Sequence, residues 1–171
     1  MNNTKPGQTD CMTQYNIFLC SSISEFLEER RELSAYVYEL SRKTRLQSNL
    51  LIHLIKCEDE DEAIVLGGKQ QQYNEDIRKA DLVIFLFGKR AGEYTLGELD
   101  VAAERIAEGK KDQILVLCET DPYKTDGEGF CALKKKLDAY RLHWHPLTSL
   151  DRIERMLTEA MFFHFFKAVN P

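Results

Sequence analysis

The chain has 171 residues, 43% of them apolar, and a formal net charge of -5. That length carries one domain with a full core, and the acidic balance excludes the basic footprint with which proteins neutralise nucleic-acid phosphates. No apolar run reaches the ~18 residues that cross a bilayer, and "MNNTKPGQTDCMTQ" lacks the charged-then-apolar pattern of a secretion signal, so a cytoplasmic protein with no membrane partner is expected.

Residues 1–14 are polar, contain Pro6 and Gly7, and read as a disordered leader to a single domain over 15–171. "YNIFLC" predicts a short strand that runs into "SSIS". The next helix, "SEFLEERRELSAYVYELSRK", places Phe26, Leu33, Val37 and Leu40 on one face, with Ser24 as its N-cap. Arg30 falls on that apolar stripe. An ion pair with a loop carboxylate is the first explanation for it and a substrate contact the second. "NLLIHLIKC" predicts the second strand, which leads into "EDEDE", a solvated acidic turn without the glycine and ligand spacing of a calcium loop.

A short helix, "YNEDIRKA", precedes "DLVIFLF", the most apolar strand. After the loop "GKRAGEYT" comes a helix beginning at Thr95, then the strand "DQILVLCET", the helix "FCALKKKLDAYR", a short strand near "LHWHPL", and a last helix from Leu150 to Ala168. Strands apolar on both faces that alternate with helices predict an α/β protein: a flavodoxin-like, doubly wound, five-stranded parallel sheet covered on both sides. Such sheets bind ligands beyond the carboxyl ends of their strands, where the strand order reverses.

Five cysteines, mostly within apolar runs, read as buried free thiols rather than disulfides or nucleophiles. His143 and His145 alternate along the short strand, but no third ligand completes a metal site. "LGGKQ" departs from the phosphate loop of NTPases, and no nucleophile elbow occurs. In "AMFFHFFKAV" four phenylalanines cover more of a helix than one core-facing stripe requires, which suggests contact with another protomer or domain.

The segment "TLGELDVA" opens the helix after the third strand. Leu96, Leu99, Ala103 and Ile106 mark its buried face, Glu98 stands at the margin as the only acid of the first turn, and Asp100 points about 200° away. Thr95 to Glu98 also has the pattern of a capping box. Gly97 is costly within a helix, and one use that offsets the cost is close approach of a ligand to the backbone.

Taken together, "YNIFLCSSISEFLEERREL", "ADLVIFLFGKRAG" and "TLGELDVA" resemble the TIR-like domains of bacterial signalling and defence proteins, over Tyr15 to about Thr120. The acidic "E-x-x-x-A" spacing is carried here by Glu98 and Ala102, and it is also similar to nucleoside deoxyribosyltransferases. The TIR resemblance implies a glycohydrolase that cleaves the nicotinamide–ribose bond of NAD or a related nucleotide, with Glu98 as the catalytic group and NAD as substrate rather than cofactor. It further implies a homo-oligomer, or a sensor domain outside this chain. Candidate substrate contacts are Ser21 and Ser22 after the first strand, Phe87, Gly88, Lys89 and Arg90 after the third, and Tyr94 and Gly97 at the helix. Helix capping for the serines and solvated charge for Lys89 and Arg90 are the competing roles. Two other functions stand beside the hydrolase: a non-catalytic self-associating adaptor, and a nucleoside deoxyribosyltransferase-like enzyme. The second is disfavoured by the lack of an obvious second acid to protonate the base.

Overall fold

A computed structural model describes residues 12–56, 69–110 and 113–169, and the side chains of all of these but Lys69 and 165–169. β1 (Thr13–Ser21), β2 (Leu50–Lys56), β3 (Leu82–Phe87), β4 (Ile114–Cys118) and β5 (Trp144–Pro146) alternate with α1 (Leu27–Ser48), α2 (Lys69–Lys79), α3 (Glu93–Ala103), α4 (Phe130–Tyr140) and α5 (Leu150–Val169). The strands form one sheet in the order β2-β1-β3-β4-β5, and every pairing is parallel. This is the flavodoxin-like, doubly wound architecture expected from the continuous apolar runs.

Alternate residues of the central strands feed two cores. Phe18, Val83, Phe85 and Val116 pack with Ile77 of α2, Leu99 of α3 and Leu133 of α4 on one face. Ile17, Leu19, Ile84 and Leu117 pack with Leu33 and Val37 of α1 and with Ile153 and Leu157 of α5 on the other. β3 is buried along its whole length, as its six apolar residues demand.

Several boundaries differ from the sequence reading. β1 starts at Thr13, inside the expected leader, because Thr13 and Gln14 extend the ladder opposite Leu50 and Leu51. α1 starts at Leu27 with Phe26 at its N-cap and no side-chain cap, so Ser24 sits in the preceding turn. α3 starts at Glu93, two residues before Thr95, and its N-cap is Gly92. A 3-10 turn, Glu104–Glu108, takes over from α3 at Ala103. The loop "EDEDE" and Cys57 lie outside the described residues.

The described cysteines are thiols outside any disulfide. Cys20 and Cys118 are buried and Cys131 is exposed. Burial, helped by the charge of Asp121, pushes the Cys118 thiol up to about 12, which removes it as a nucleophile at neutral pH. His143 precedes β5 rather than sharing it with His145, so the two do not alternate on one strand. No cluster of three metal-ligating side chains occurs among the described residues, and no helix there is long and apolar enough to cross a membrane. At the C-terminal helix Met161 is buried whereas Phe162 and Phe163 are more than half exposed.

Candidate active site at the strand-order switch

The strand order reverses between β1 and β3, and the loops leaving these strands run to opposite faces of the sheet. The crevice between them holds four of the candidate residues, Ser22, Arg90, Tyr94 and Gly97. One bank is the turn after β1, carrying Ser22 and Glu25; the other is the loop after β3, from Gly88 to Gly92, with the first turn of α3 behind it.

Glu98 lies in the interior of α3, more than a turn beyond the Gly92 N-cap, so it caps nothing and the capping-box reading of Thr95 to Glu98 fails. The acid of the first turn is Glu93 instead. Glu98 is only 8% exposed. Burial drives its carboxyl up to about 7, against two opposing influences: the Cys20 thiol, which hydrogen-bonds to it, and the charge of Arg30. Its neighbour Asp100 faces away, as its position around the helix requires. There it accepts hydrogen bonds from Lys136 Nζ (2.5 and 2.6 Å) and the Tyr140 hydroxyl (2.7 Å) of α4.

Arg30 is fully buried, which the apolar stripe around it anticipated. Its Nη1 donates to Ser21 Oγ at 2.6 Å and to the Ser21 carbonyl at 3.3 Å. The acidic loop is not among the described residues. Ser21 is thus the buried anchor of Arg30 rather than a helix cap or an exposed ligand contact. Ser22 is half-buried at the crevice, with its hydroxyl 3.1 Å from that of Ser24.

The remaining candidates divide by depth. Phe87 is a core residue, 1% exposed and stacked against Phe85 with ring centroids 6.3 Å apart, so its side chain does not face the crevice. Its carbonyl instead accepts from the Glu119 amide at 2.9 Å. Gly88 is confined: a Cβ there would lie 3.1 Å from the Phe26 ring and 3.3 Å from carboxylate oxygens of both Glu25 and Glu119. Lys89 is exposed, and Arg90 is exposed but 3.7 Å from Glu25. Tyr94 is 80% exposed, and a Cβ on Gly97 would meet nothing within 4 Å. Packing within the protein therefore does not explain Gly97.

Of the candidates, Ser22, Arg90, Tyr94 and Gly97 border a two-part groove whose parts share Glu93 and Tyr94. One part, about 380 Å³, runs from Ser22, Glu25 and Arg90 to Glu93, Tyr94 and Glu128. The other, about 360 Å³, lies beyond Tyr94 against Gln70, Asn74 and Gly97. Glu98 lines neither part. It is buried one residue beyond Gly97 and one turn beyond Tyr94. Sequence reasoning missed Gln70, Asn74 and Glu128, which only the packing of α2 and of the loop before α4 brings to this edge, and it passed over Glu25 and Glu93 within the switch-point loops themselves.

The architecture defines the class: an α/β protein with its candidate site at the carboxyl edge of a parallel sheet. No family model matches the sequence, and no curated protein matches it. Among solved structures, it is similar in fold to a CMP N-glycosidase, BcmB, from Clostridium botulinum, with a TM-score of 0.53 and 12% identity over 84% of this chain and 98% of that one. The metal-soaked Flv1 flavodiiron core from Synechocystis is similar at a TM-score of 0.43 and 14% identity, over 90% of this chain and 35% of that one. The likeness to BcmB is one of fold.

Proposed function

We propose that the protein is an N-glycosidase of the TIR-like kind that hydrolyses the bond between ribose C1′ and the pyridinium nitrogen of a nicotinamide nucleotide or nucleoside, with Glu98 as its reactive carboxylate. One observation carries this reading: a buried glutamate in α3, free of any capping role, hydrogen-bonded to Cys20 of β1 and next in sequence to Gly97, which lines the groove. An O-glycoside needs two carboxylates, one of them to protonate the leaving oxygen. Nicotinamide departs as a neutral molecule from a cationic ring and needs no proton. The C1′–N bond breaks with its electron pair going to nitrogen, water supplies the oxygen that joins C1′, and one proton is released. A single anionic carboxylate serves this reaction by stabilising the oxocarbenium-like charge or by attacking C1′ before water does. Glu98 reaches the ribose by a change of rotamer past Gly97. Tyr94 and Ser22 border the groove in which the ring and the ribose bind.

The test is nicotinamide release from NAD and from nicotinamide riboside at high protein concentration, comparing the wild type with Glu98→Gln after both are shown to be folded. Release that disappears in the variant is the expected result. Because the anionic carboxylate does the work, kcat/KM should rise with pH and level off above about 7, the value to which burial moves Glu98. No release from either substrate by the wild type leaves a non-catalytic adaptor.

A second reading, cleavage of an ordinary nucleoside or nucleotide, draws on the carboxylates of Glu25 and Glu119 that meet around Gly88. Either is a candidate acid for the departing base, a group that the sequence alone did not supply. Release of cytosine from cytidine or CMP, lost in Glu119→Gln and Glu25→Gln variants, distinguishes this reading from the first.

A further inference from the structure

The groove has a charge pattern that bears on which substrate it takes. Among the described residues, Glu25, Glu93 and Glu128 line its larger part, opposed by Arg90 alone, which leaves an excess of two negative charges. Arg90 is already paired with Glu25 at 3.7 Å. Beyond Tyr94 the lining adds, among the described residues, the neutral Gln70 and Asn74 and no cation. Lys89 is exposed next to Arg90 but does not line either part, and Glu119 adds a further carboxylate behind Gly88. A pyrophosphate bound here would face carboxylates with no uncommitted cation among the described residues that line the groove, whereas a pyridinium ring would be attracted.

We propose that this groove selects an N-ribosylpyridinium nucleoside, cationic and without phosphate, over the corresponding nucleotides. The inference rests on the N-glycosidase reading and narrows its substrate class. The pyridinium sits among Glu25, Glu93 and Glu128, Tyr94 offers its exposed ring for stacking or cation–π contact, and the ribose points toward Gly97 and Glu98. The bond broken and the products are those given above, with free ribose as the sugar.

The probes are nicotinamide riboside, its 5′-monophosphate and NAD, assayed by nicotinamide release at low and high ionic strength with the wild type, Glu98→Gln, and the Glu93→Gln/Glu128→Gln double variant. Circular dichroism checks that each variant is folded. The expected result is a kcat/KM for the riboside about tenfold above that for NAD at low salt, the scale of two partly screened like-charge contacts, shrinking as salt is raised. The double variant should narrow the ratio by improving turnover of NAD. Equal or better turnover of NAD or the monophosphate, still abolished by Glu98→Gln, would overturn the charge selection and leave the glycosidase standing. Absence of release from all three probes overturns both.

Discussion

Glu98 holds its proton to about pH 7 because the water that would solvate its anion is largely excluded, and neither the Cys20 thiol nor the charge of Arg30 restores that solvation fully. The same displacement has a consequence for stability. With a folded pKa near 7 against an ordinary 4.5, the native state binds the proton more tightly than the unfolded chain. The stability linked to this proton is therefore lost as pH rises from about 4.5 to about 7, is wholly absent above that window, and is intact below it. A shift of this size corresponds to about 3 kcal/mol. Glu98→Gln keeps the shape without the charge, so it should be more stable than the wild type at pH 8 and close to it at pH 4.5. Urea unfolding at the two values measures this, and an equal difference at both would mean that Glu98 is not the group being titrated by burial. On the proposed mechanism activity and stability should therefore move in opposite directions over one pH interval, because the ionised form that would react is the form the fold resists.

At the scale of elements, two glycines around the crevice make opposite predictions. Gly97 is exposed on α3 and its added Cβ would meet nothing, so Gly97→Ala should stabilise the fold by about 1 kcal/mol through helix propensity. On the proposed mechanism nicotinamide release should nevertheless fall, since the methyl would narrow the groove that Gly97 lines. Gly129 sits just before α4 with φ of 78°, and a Cβ there would collide with the Ala91 carbonyl oxygen in the loop after β3. That loop is tied to the same turn by the Ala91 amide, which donates to the Glu128 carbonyl at 2.9 Å. Gly129→Ala should cost about 2 kcal/mol or more, from the left-handed backbone together with the collision, and denaturant titration of both variants gives the contrast. These local relations also explain what the sequence left illegible. Ser24 and Thr95 have good capping chemistry, yet α1 and α3 start from Phe26 and Gly92, where tertiary contacts rather than a side-chain cap fix the entry. Phe87 was assigned to the crevice by its place at a strand end, but the period of two along β3 sends it to the core with Phe85. Glu98, Tyr94 and Gly97 were legible because they belong to the element that follows the switch-point strand. Glu25 and Glu128 were not, because their proximity depends on how three separate loops meet.

For the whole molecule, the sheet was readable because each central strand must bury both faces, and that need writes itself as an unbroken apolar run in "IFLC", "LVIFLF" and "ILVLC". The same feature argues for one cooperative unit. Neither core is independent: Ile84 and Phe85 are consecutive in β3, yet one belongs to the layer with α1 and α5 and the other to the layer with α2, α3 and α4. Losing either helical layer exposes one face of the same strands, so the layers should unfold together. Trp144, the only tryptophan, lies half-buried on β5 at the edge of the sheet opposite β2 and packs against the α2–α3–α4 core. Its fluorescence reports on the part of the molecule farthest in strand order from α1 and β2, whereas far-UV circular dichroism averages over all the helices, of which the 22-residue α1 is the longest. Coincident urea transitions by the two probes, with one midpoint and one slope, are expected of a single domain. A fluorescence transition that precedes the loss of helix would mean that β5 and α4 detach first, and that the switch-point groove, whose larger part includes Glu128 and Gly129, can open without global unfolding.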